Sequence, residues 1–571
     1  MEELEPEAEA AEDQIAALNK LAREEAGGLV DEDQGSEKSD AEKGPKGAEE
    51  LPRIRLPGEG RRVTDFAREA GQAMRDHGVY RRDEQPVVVS RESGGISPLS
   101  AERFCTDIES VAVTYVKKVV RIDGDEMVVE KQKTITPTMA KVVLASEAFV
   151  EGLKPLIRVN MARQPVMRQD GRIDVLKQGY DDGTGILTVP NPVKLSERAS
   201  IEALSDHDRD VARKASAAVL KHALREFPMV SSLDLAVQVA AIISFYGAML
   251  MPTNASRLNF FYKANKHRSG KTLLIKMVIS LVMGRTAIQP FPKNEDKLIE
   301  LLNSVAIGGR SYLVLDDIKG FLSSEALNGF LTASWWTGRK FHRQELFEAQ
   351  RQAICFLSGH EVTLSPDLAG RFLECRLHVE EADASRHEVK NPIDDEYLER
   401  PLVRSELLNA VNALIILWDL AGRPKGSTVR PGFETWCRIY GGITEFAGFG
   451  DPCARRADDE GSDPELDDMQ ALIRALVETF TAGEKLKEFT FAELIDQCIE
   501  LKAFAWEIEG NYKKEDGERW FQPSKKTESK LGWKFGQKYG GTIFTLPDGR
   551  RARFGRQGKN RQRRYTLEML A

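Results

Sequence analysis

The spacing of apolar residues changes several times along the chain, and each change predicts a different element. From "LPRIRLPGEGRRVTDFAREAG" to "GYDDGTGILTV" (51–189), short alternating stretches such as "VAVTYVKKVVRI" (111–122) are interleaved with helical segments and polar turns. That mixture predicts an α+β region. Helical spacing then runs from 197 to 250. Its end, "LAVQVAAIISFYGAML" (235–250), is shorter and more interrupted than the ~20 apolar residues of a membrane span, and reads as a buried helix. "RLNFFYKA" (257–264) is strand-like, "KTLLIKMVISLVMG" from Lys271 is helical, and "YLVL" (312–315) and "QAICFLSGH" (352–360) are further strands. "RSELLNAVNALIILWDLAGRP" (404–424) is a long amphipathic helix stopped by Gly-Arg-Pro. The last hundred residues read as a helix at 467–482, a helix at 489–503 and a third helix around "KKTESKLGWKFGQKYG" (525–540). Strands "TIFTL", "RRARF" and "RYTLEM" follow.

Length and charge sharpen this picture. A chain of 571 residues is expected to form three to five units at roughly 100–200 residues per domain. The first fifty residues hold seventeen acidic against five basic residues and no aromatic, so with a total charge of −8 the remainder is slightly positive. Such a segment is too poor in apolar surface to offset the entropy of ordering, and reads as a disordered acidic tail. The six cysteines show no CxxC spacing and the eight histidines no HxxxH pair, which predicts a reducing cytoplasmic setting without disulfides or a zinc site. The pairs in "DGDE" (123–126) and "YDDG" (180–183) imitate metal-binding carboxylates, but Asp-Gly clusters between strands are more often turns.

The chemistry concentrates at "ANKHRSGKTLL". A strand, then Gly270-Lys271-Thr272, then a helix is how a phosphate-binding P-loop ends: successive backbone N–H groups and the positive helix end face an anion. Lys271 then suits the β/γ-phosphates of ATP, with Ser269 and Gly270 lining the loop. The Thr272 hydroxyl suits Mg²⁺. The usual pattern has glycine five residues before Gly270, where this chain has Asn265. Asparagine tolerates the left-handed conformation better than other non-glycine residues, so Asn265 is kept in the nucleotide-binding set. "YLVLDDIKG" supplies the acidic strand end, with Asp316 as metal ligand and Asp317 as the residue that polarises water. The third strand ends at His360, and Arg371 and Arg376 follow.

The order GKT, "LDDIKGFLSSEALNGFLTASWWTGRKF", "LSGHEVTLSPDLAGRFLECRL", "GFETWCRIYGG" and "DPC" resembles the helicase-type ATPase portion of primase–helicase proteins carried by phages, plasmids and genomic islands. The resemblance spans about residues 140 to 450, with "GYDDGTGIL" as its upstream marker. It implies an additional-strand, AAA+ or superfamily 3-like α/β core, with the third strand between the loop strand and the acidic strand. It further implies ATP and Mg²⁺ as cofactors, Asp317, His360 and Arg371 in catalysis, and Arg371 acting as a finger on a neighbouring subunit's ATP. His360 stands where the family's sensor asparagine is usual. The implied partners are single-stranded or forked DNA, other copies of the chain in a homo-oligomeric ring such as a hexamer, and a separate primase or replication protein, since no primase site is visible. No membrane partner is implied.

Two regions suit DNA. "GRKFHRQELFEAQRQ" (338–352) predicts a hairpin, and the resemblance makes Lys340, His342 and Arg343 candidates for backbone phosphates. Three helices followed by a hairpin are the winged-helix pattern. Its wing, "RRARFGRQGKNRQRR" (550–564), carries Arg550, Arg551, Arg553, Arg556, Lys559, Arg561, Arg563 and Arg564 and no acid. The expected layout is an acidic tail at 1–50, an α+β domain at 51–190, a helical connector at 191–250 and a P-loop ATPase core at 251–400. A helical lid at 401–453, a linker at 454–466 and a winged-helix domain at 467–571 complete it. The leading expectation is a DNA-dependent ATPase acting as a replicative helicase of a mobile element. An ATP-switched DNA-binding initiator or helicase loader, and a defence or regulatory ATPase, stay open beside it.

Overall fold

The computed structural model describes residues 51–570 except 59, 123–124, 293, 340–344, 381–392, 457–463, 482, 505–507, 509–511, 516–517, 522–524, 547 and 558–563. The chain is a mixed α/β protein with two compact units. One is built from residues up to 318, 324–361 and 371–454, and the other from 319–323, 362–370 and 455 onward.

In the first unit, residues 51–190 form small sheets and helices around Phe66, Phe104, Ile108 and Phe149. Ser100 and Thr136 start two of the helices by accepting hydrogen bonds from the N–H groups of Arg103 and Met139, as N-caps do. Strands Val113–Ile122 and Asp125–Gln132 form an antiparallel hairpin with Ile122 opposite Asp125. Of "DGDE", Asp125 and Glu126 open the second strand of this hairpin, and Asp123 and Gly124 lie outside the described residues. Asp181 of "YDDG" accepts hydrogen bonds from Arg168 at 2.8 and 3.0 Å and from Thr184 at 2.6 Å. Its carboxylate closes a turn, as the Asp-Gly reading expects.

The centre of this unit is a five-stranded sheet in the order Gln289–Pro290, Tyr312–Leu322, Ile354–Leu364, Asn259–Ala264, Phe372–Leu377. Ile354–Leu364 pairs in parallel with Asn259–Ala264, so the third strand does lie between the loop strand and the acidic strand. "NFFYKA" is nearly continuous in apolar residues because the strand is covered on both faces. The helix Ser232–Tyr246 is apolar on every side for the same reason. Its buried Gln238 accepts from the Tyr262 hydroxyl at 2.6 Å and donates to the Leu274 carbonyl at 3.2 Å. Residues 232–246 thus belong to the same core as the sheet.

The helix Pro401–Leu420 begins three residues earlier than its pattern predicts and is buried on most sides rather than amphipathic. Among the described helices it alone is long and apolar enough to cross a membrane by length and composition, and 61% of its apolar window is buried in the unit, as in a core helix. All six cysteines are free and buried. Cys437 and Cys453, distant from any CxxC spacing, bring their sulfurs to 3.5 Å.

The second unit holds helices Pro464–Glu478, Phe491–Leu501 and Lys525–Trp533, the last continued by a π-helical turn over Lys534–Lys538. Its four-stranded sheet is ordered Leu486–Phe489, Arg564–Leu570, Arg551–Gln557, Ile543–Thr545. Helices and sheet close on Leu472, Leu494, Phe535, Phe554 and Tyr565. The first helix stops four residues short of its predicted end. A small hairpin, Tyr512–Glu515 with Glu518–Phe521, is inserted before the third helix.

Candidate functional site

The helix Lys271–Met283 opens on Gly270 at φ +91°, with no side chain capping it. Its first-turn N–H groups are therefore left to face the loop. Glycine is needed twice over: the backbone is left-handed, and a Cβ would meet the Phe227 ring at 3.2 Å. The second left-handed position is Arg268, at φ +61°. Asn265 is not left-handed, which corrects the reason for tolerating it. Its side-chain amide donates to the Val379 carbonyl at 2.9 Å and accepts from the Val379 N–H at 3.0 Å. Asparagine thus closes the end of the loop strand onto the chain after the neighbouring strand Phe372–Leu377, and its side chain is engaged there rather than held out for a nucleotide.

Lys271 donates to the Lys266 carbonyl at 3.1 Å and to the hydroxyl of buried Ser269 at 3.3 Å. Burial pulls its pKa below the ordinary lysine value, while the Asp316 and Asp317 carboxylates oppose that shift. Thr272 Oγ1 donates to Asp316 Oδ2 at 3.2 Å, so the two residues chosen as metal ligands meet. Asp316 Oδ1 accepts from the Asp317 N–H at 2.7 Å and from the Ser358 hydroxyl. Asp317 itself is held at φ +57°, uncommon for a non-glycine residue. A cavity of about 400 Å³ opens on Arg268 to Leu273, Lys276, Asp394 and Asp395. Lys276 Nζ bonds both oxygens of Asp395, at 2.9 and 2.7 Å.

Ser358, Lys276, Asp394 and Asp395 escaped the sequence reading. Ser358 had a signal: it lies two residues before His360, on the same face of the same strand. His360 stands opposite Ala264 in the register, with its ring centroid 4.6 Å from that of His267 in the loop. Its Nδ1 is buried without a hydrogen-bond partner.

Arg371 is not near these groups in its own chain. Its carbonyl accepts from the Asn259 N–H at 3.0 Å and its Nε donates to Thr332 at 2.9 Å. That is the far end of the loop strand, roughly 20 Å from the loop at ~3.3 Å per residue.

The predicted hairpin forms from Trp335–Arg339 and Leu346–Gln350, with Arg339 opposite Leu346. Trp336 Nε1 anchors it on Asn303 at 2.7 Å. Its tip, with Lys340, His342 and Arg343, lies outside the described residues, as do Lys559, Arg561 and Arg563. In the basic hairpin Arg551–Gln557 pairs with Arg564–Leu570. Arg550 is tied to Asp548 at 2.7 Å and Arg553 approaches Glu568 at 3.5 Å. The wing's charge is thus partly compensated by Asp548 and Glu568, which lie just outside 550–564. Arg551 and Arg564 are exposed, and Arg556 packs over Gly536 beside the third helix.

No protein-family model and no curated protein matches the sequence. Among solved structures, the chain is similar to the apo C-terminal region of NrS-1, at 9% identity and a TM-score of 0.32, over 80% of this chain and 96% of that one. It is also similar to the SCCmec type IV Cch active helicase, at 10% identity and a TM-score of 0.32, over 85% and 97%. The JCV helicase follows at 16% identity and a TM-score of 0.20, over 49% and 75%.

Proposed function

We propose that the chain is a DNA-dependent ATPase of the helicase type. The observation that carries this reading is the chain Lys271, Thr272, Asp316, Ser358, gathered at one edge of the sheet around an uncapped helix start. A magnesium–ATP complex fits these residues. The free N–H groups at Gly270 and Lys271 and the Lys271 ammonium would hold phosphate oxygens, and Thr272 and Asp316 would hold the metal. When bound, magnesium neutralises phosphate charge. Ser358 donates to Asp316 and would hold its orientation, and in this reading Asp317 and His360 would orient the attacking water and the terminal phosphate.

Arg371 acts on a neighbouring subunit in this reading, since it is far from the loop in its own chain; this supports assembly as a ring. The motif order supports a role in replication of a mobile genetic element, with DNA held by the Trp335–Gln350 hairpin and by a winged-helix second unit. That second unit also favours an alternative, an ATP-switched initiator or loader that binds duplex DNA without unwinding it. ATP hydrolysis is measured with and without single-stranded DNA, then unwinding of a forked duplex by wild type and Lys271→Ala. Stimulated hydrolysis and unwinding that vanish together in Lys271→Ala are expected. ATP-dependent assembly on duplex DNA with no unwinding would transfer the proposal to the initiator, and absence of ATP binding would end both.

A further inference from the structure

Arg158, Arg257 and Arg351 come together inside the first unit, with exposures of 5, 7 and 5%. They come from three separate parts of the chain. Arg158 opens the strand Arg158–Asn160, Arg257 lies two residues before the loop strand, and Arg351 follows the Trp335–Gln350 hairpin. All three line one small cavity together with Met249 and Thr253. Its interior of about 20 Å³ admits a single water-sized atom. The cavity shares Ile157, Gln350 and Gln352 with a larger one of about 790 Å³ between residues 81–98 and the base of the hairpin, so the two adjoin.

The three guanidiniums are incompletely satisfied. Arg158 donates to Asn160 Oδ1 at 3.1 Å and to Met249 Sδ at 3.7 Å. Arg351 donates to the Ala333 and Ala353 carbonyls at 2.9 and 3.0 Å. The Arg257 guanidinium meets the Tyr440 hydroxyl, but its Nη1 is buried without a hydrogen-bond partner. Among the described residues no carboxylate pairs with any of the three. Carbonyl and sulfur acceptors satisfy hydrogen-bond geometry but leave three positive charges facing one another out of water. Burial, and then the Arg257 charge, pull the pKa of both Arg158 and Arg351 down to about 10. An arginine at neutral pH keeps its proton regardless, so the repulsion persists as a standing cost to the fold. A negative ligand is what would offset it.

We propose that Arg158, Arg257 and Arg351 form an anion site that takes one oxygen of a phosphate group, supplied either by free orthophosphate or by the phosphodiester backbone of single-stranded DNA. Guanidinium groups suit phosphate oxygens through charge-assisted hydrogen bonds. The occupant would add a further link among three elements, the Arg158 strand, the approach to the loop strand and the hairpin, of which the first and last already meet through Gln352 Nε2 donating to the Ile157 carbonyl at 2.8 Å. Arg351 transmits the last connection directly, since its N–H donates to the Ser334 carbonyl at the other leg of the hairpin at 2.9 Å. The site is independent of the nucleotide reading of the loop.

The test uses the full chain carrying Lys271→Ala, so that phosphate at the loop is not what is read. Tm is measured in sodium phosphate and in sodium chloride at equal ionic strength, and binding of a fluorescent oligothymidylate is followed by anisotropy across salt. Orthophosphate is expected to raise Tm, and Arg257→Met to remove that rise while melting no lower than its parent in chloride. If the phosphodiester is the occupant, Arg257→Met lowers oligothymidylate affinity about tenfold and reduces the salt slope by about 1. Arg158→Met gives the same readouts should Arg257→Met not fold. The proposal is overturned if phosphate and chloride give equal Tm and neither substitution alters oligothymidylate binding. It is equally overturned if Arg257→Met melts lower in chloride with the phosphate response intact, the behaviour of arginines that serve only packing.

Discussion

The loop cleft and the arginine pocket both concentrate positive charge within one unit, yet they hold it in opposite ways. Lys271 faces the Asp316 and Asp317 carboxylates, and Lys276 is bonded by Asp395. The arginines of the pocket have carbonyls, an amide, a thioether and the Tyr440 hydroxyl for company, and no carboxylate. Balanced charge makes the cleft a place where substitutions change chemistry more than stability. Unbalanced charge makes the pocket a place where removing a cation relieves the fold. The largest expected effect tests the first half of that contrast. Lys271→Ala should cut ATP turnover by a factor of about 10²–10³, as loss of a charge-stabilising donor does, with Tm unchanged or slightly raised. Parallel measurement of kcat and Tm decides it: a Tm lower by many degrees would make Lys271 a structural residue and dissolve the contrast.

The second unit offers a balanced buried charge away from any cleft. Glu465 receives Lys534 at 3.0 Å and Lys538 at 2.9 Å, tying the first helix of that unit to its third. Burial pushes the carboxyl pKa up, but the hydrogen bonds from Lys538 and Lys534 outweigh it and hold the group below its ordinary 4.5. A carboxylate with a lowered pKa contributes stability above the ordinary value and loses it as pH falls through the lowered one. Glu465→Gln should therefore cost about 2 kcal/mol at neutral pH, with the gap to wild type closing in acid. Urea unfolding at neutral and acidic pH measures both. Here removing a buried charge destabilises, where Arg257→Met is expected not to, and equal signs for the two would break the comparison.

What the sequence reveals follows the same division. The helix start at Lys271, the acidic pair inside the Tyr312–Leu322 strand and the Trp335–Gln350 hairpin are legible because neighbouring residues determine them, although that strand runs on past Asp317 to Leu322 where the pattern predicts its end. The arginine pocket is not, since its members lie about a hundred residues apart and no local pattern marks a residue whose partner is distant. Asn265 fails for that reason too. It reads as a damaged glycine position, but its partner Val379 is 114 residues on. Asn265→Gly, which restores the usual loop pattern, should cost about 1.5 kcal/mol through two lost hydrogen bonds and a more flexible chain, without faster hydrolysis. A faster, equally stable enzyme in Tm and turnover assays would show the departure to be a defect after all.

The smallest expected effect separates positioning from binding inside the cleft. Asp316 has three donors: Thr272, the Asp317 N–H and Ser358. Only Thr272 lies in the loop motif. Ser358 sits fully buried on the central strand, where it can hold Asp316 but is screened from solvent. Removing its hydroxyl should leave the carboxylate present and charged but less fixed in direction. Turnover at saturating ATP is then expected to fall about fivefold, on the order of 1 kcal/mol, with KM for ATP nearly unchanged and a higher magnesium requirement. Ser358→Thr, which keeps the hydroxyl, should recover most of the rate. A rise in KM with kcat preserved in Ser358→Ala would place the serine on the nucleotide itself, and the balance of charge in the cleft would then rest on Thr272 and the Asp317 backbone alone.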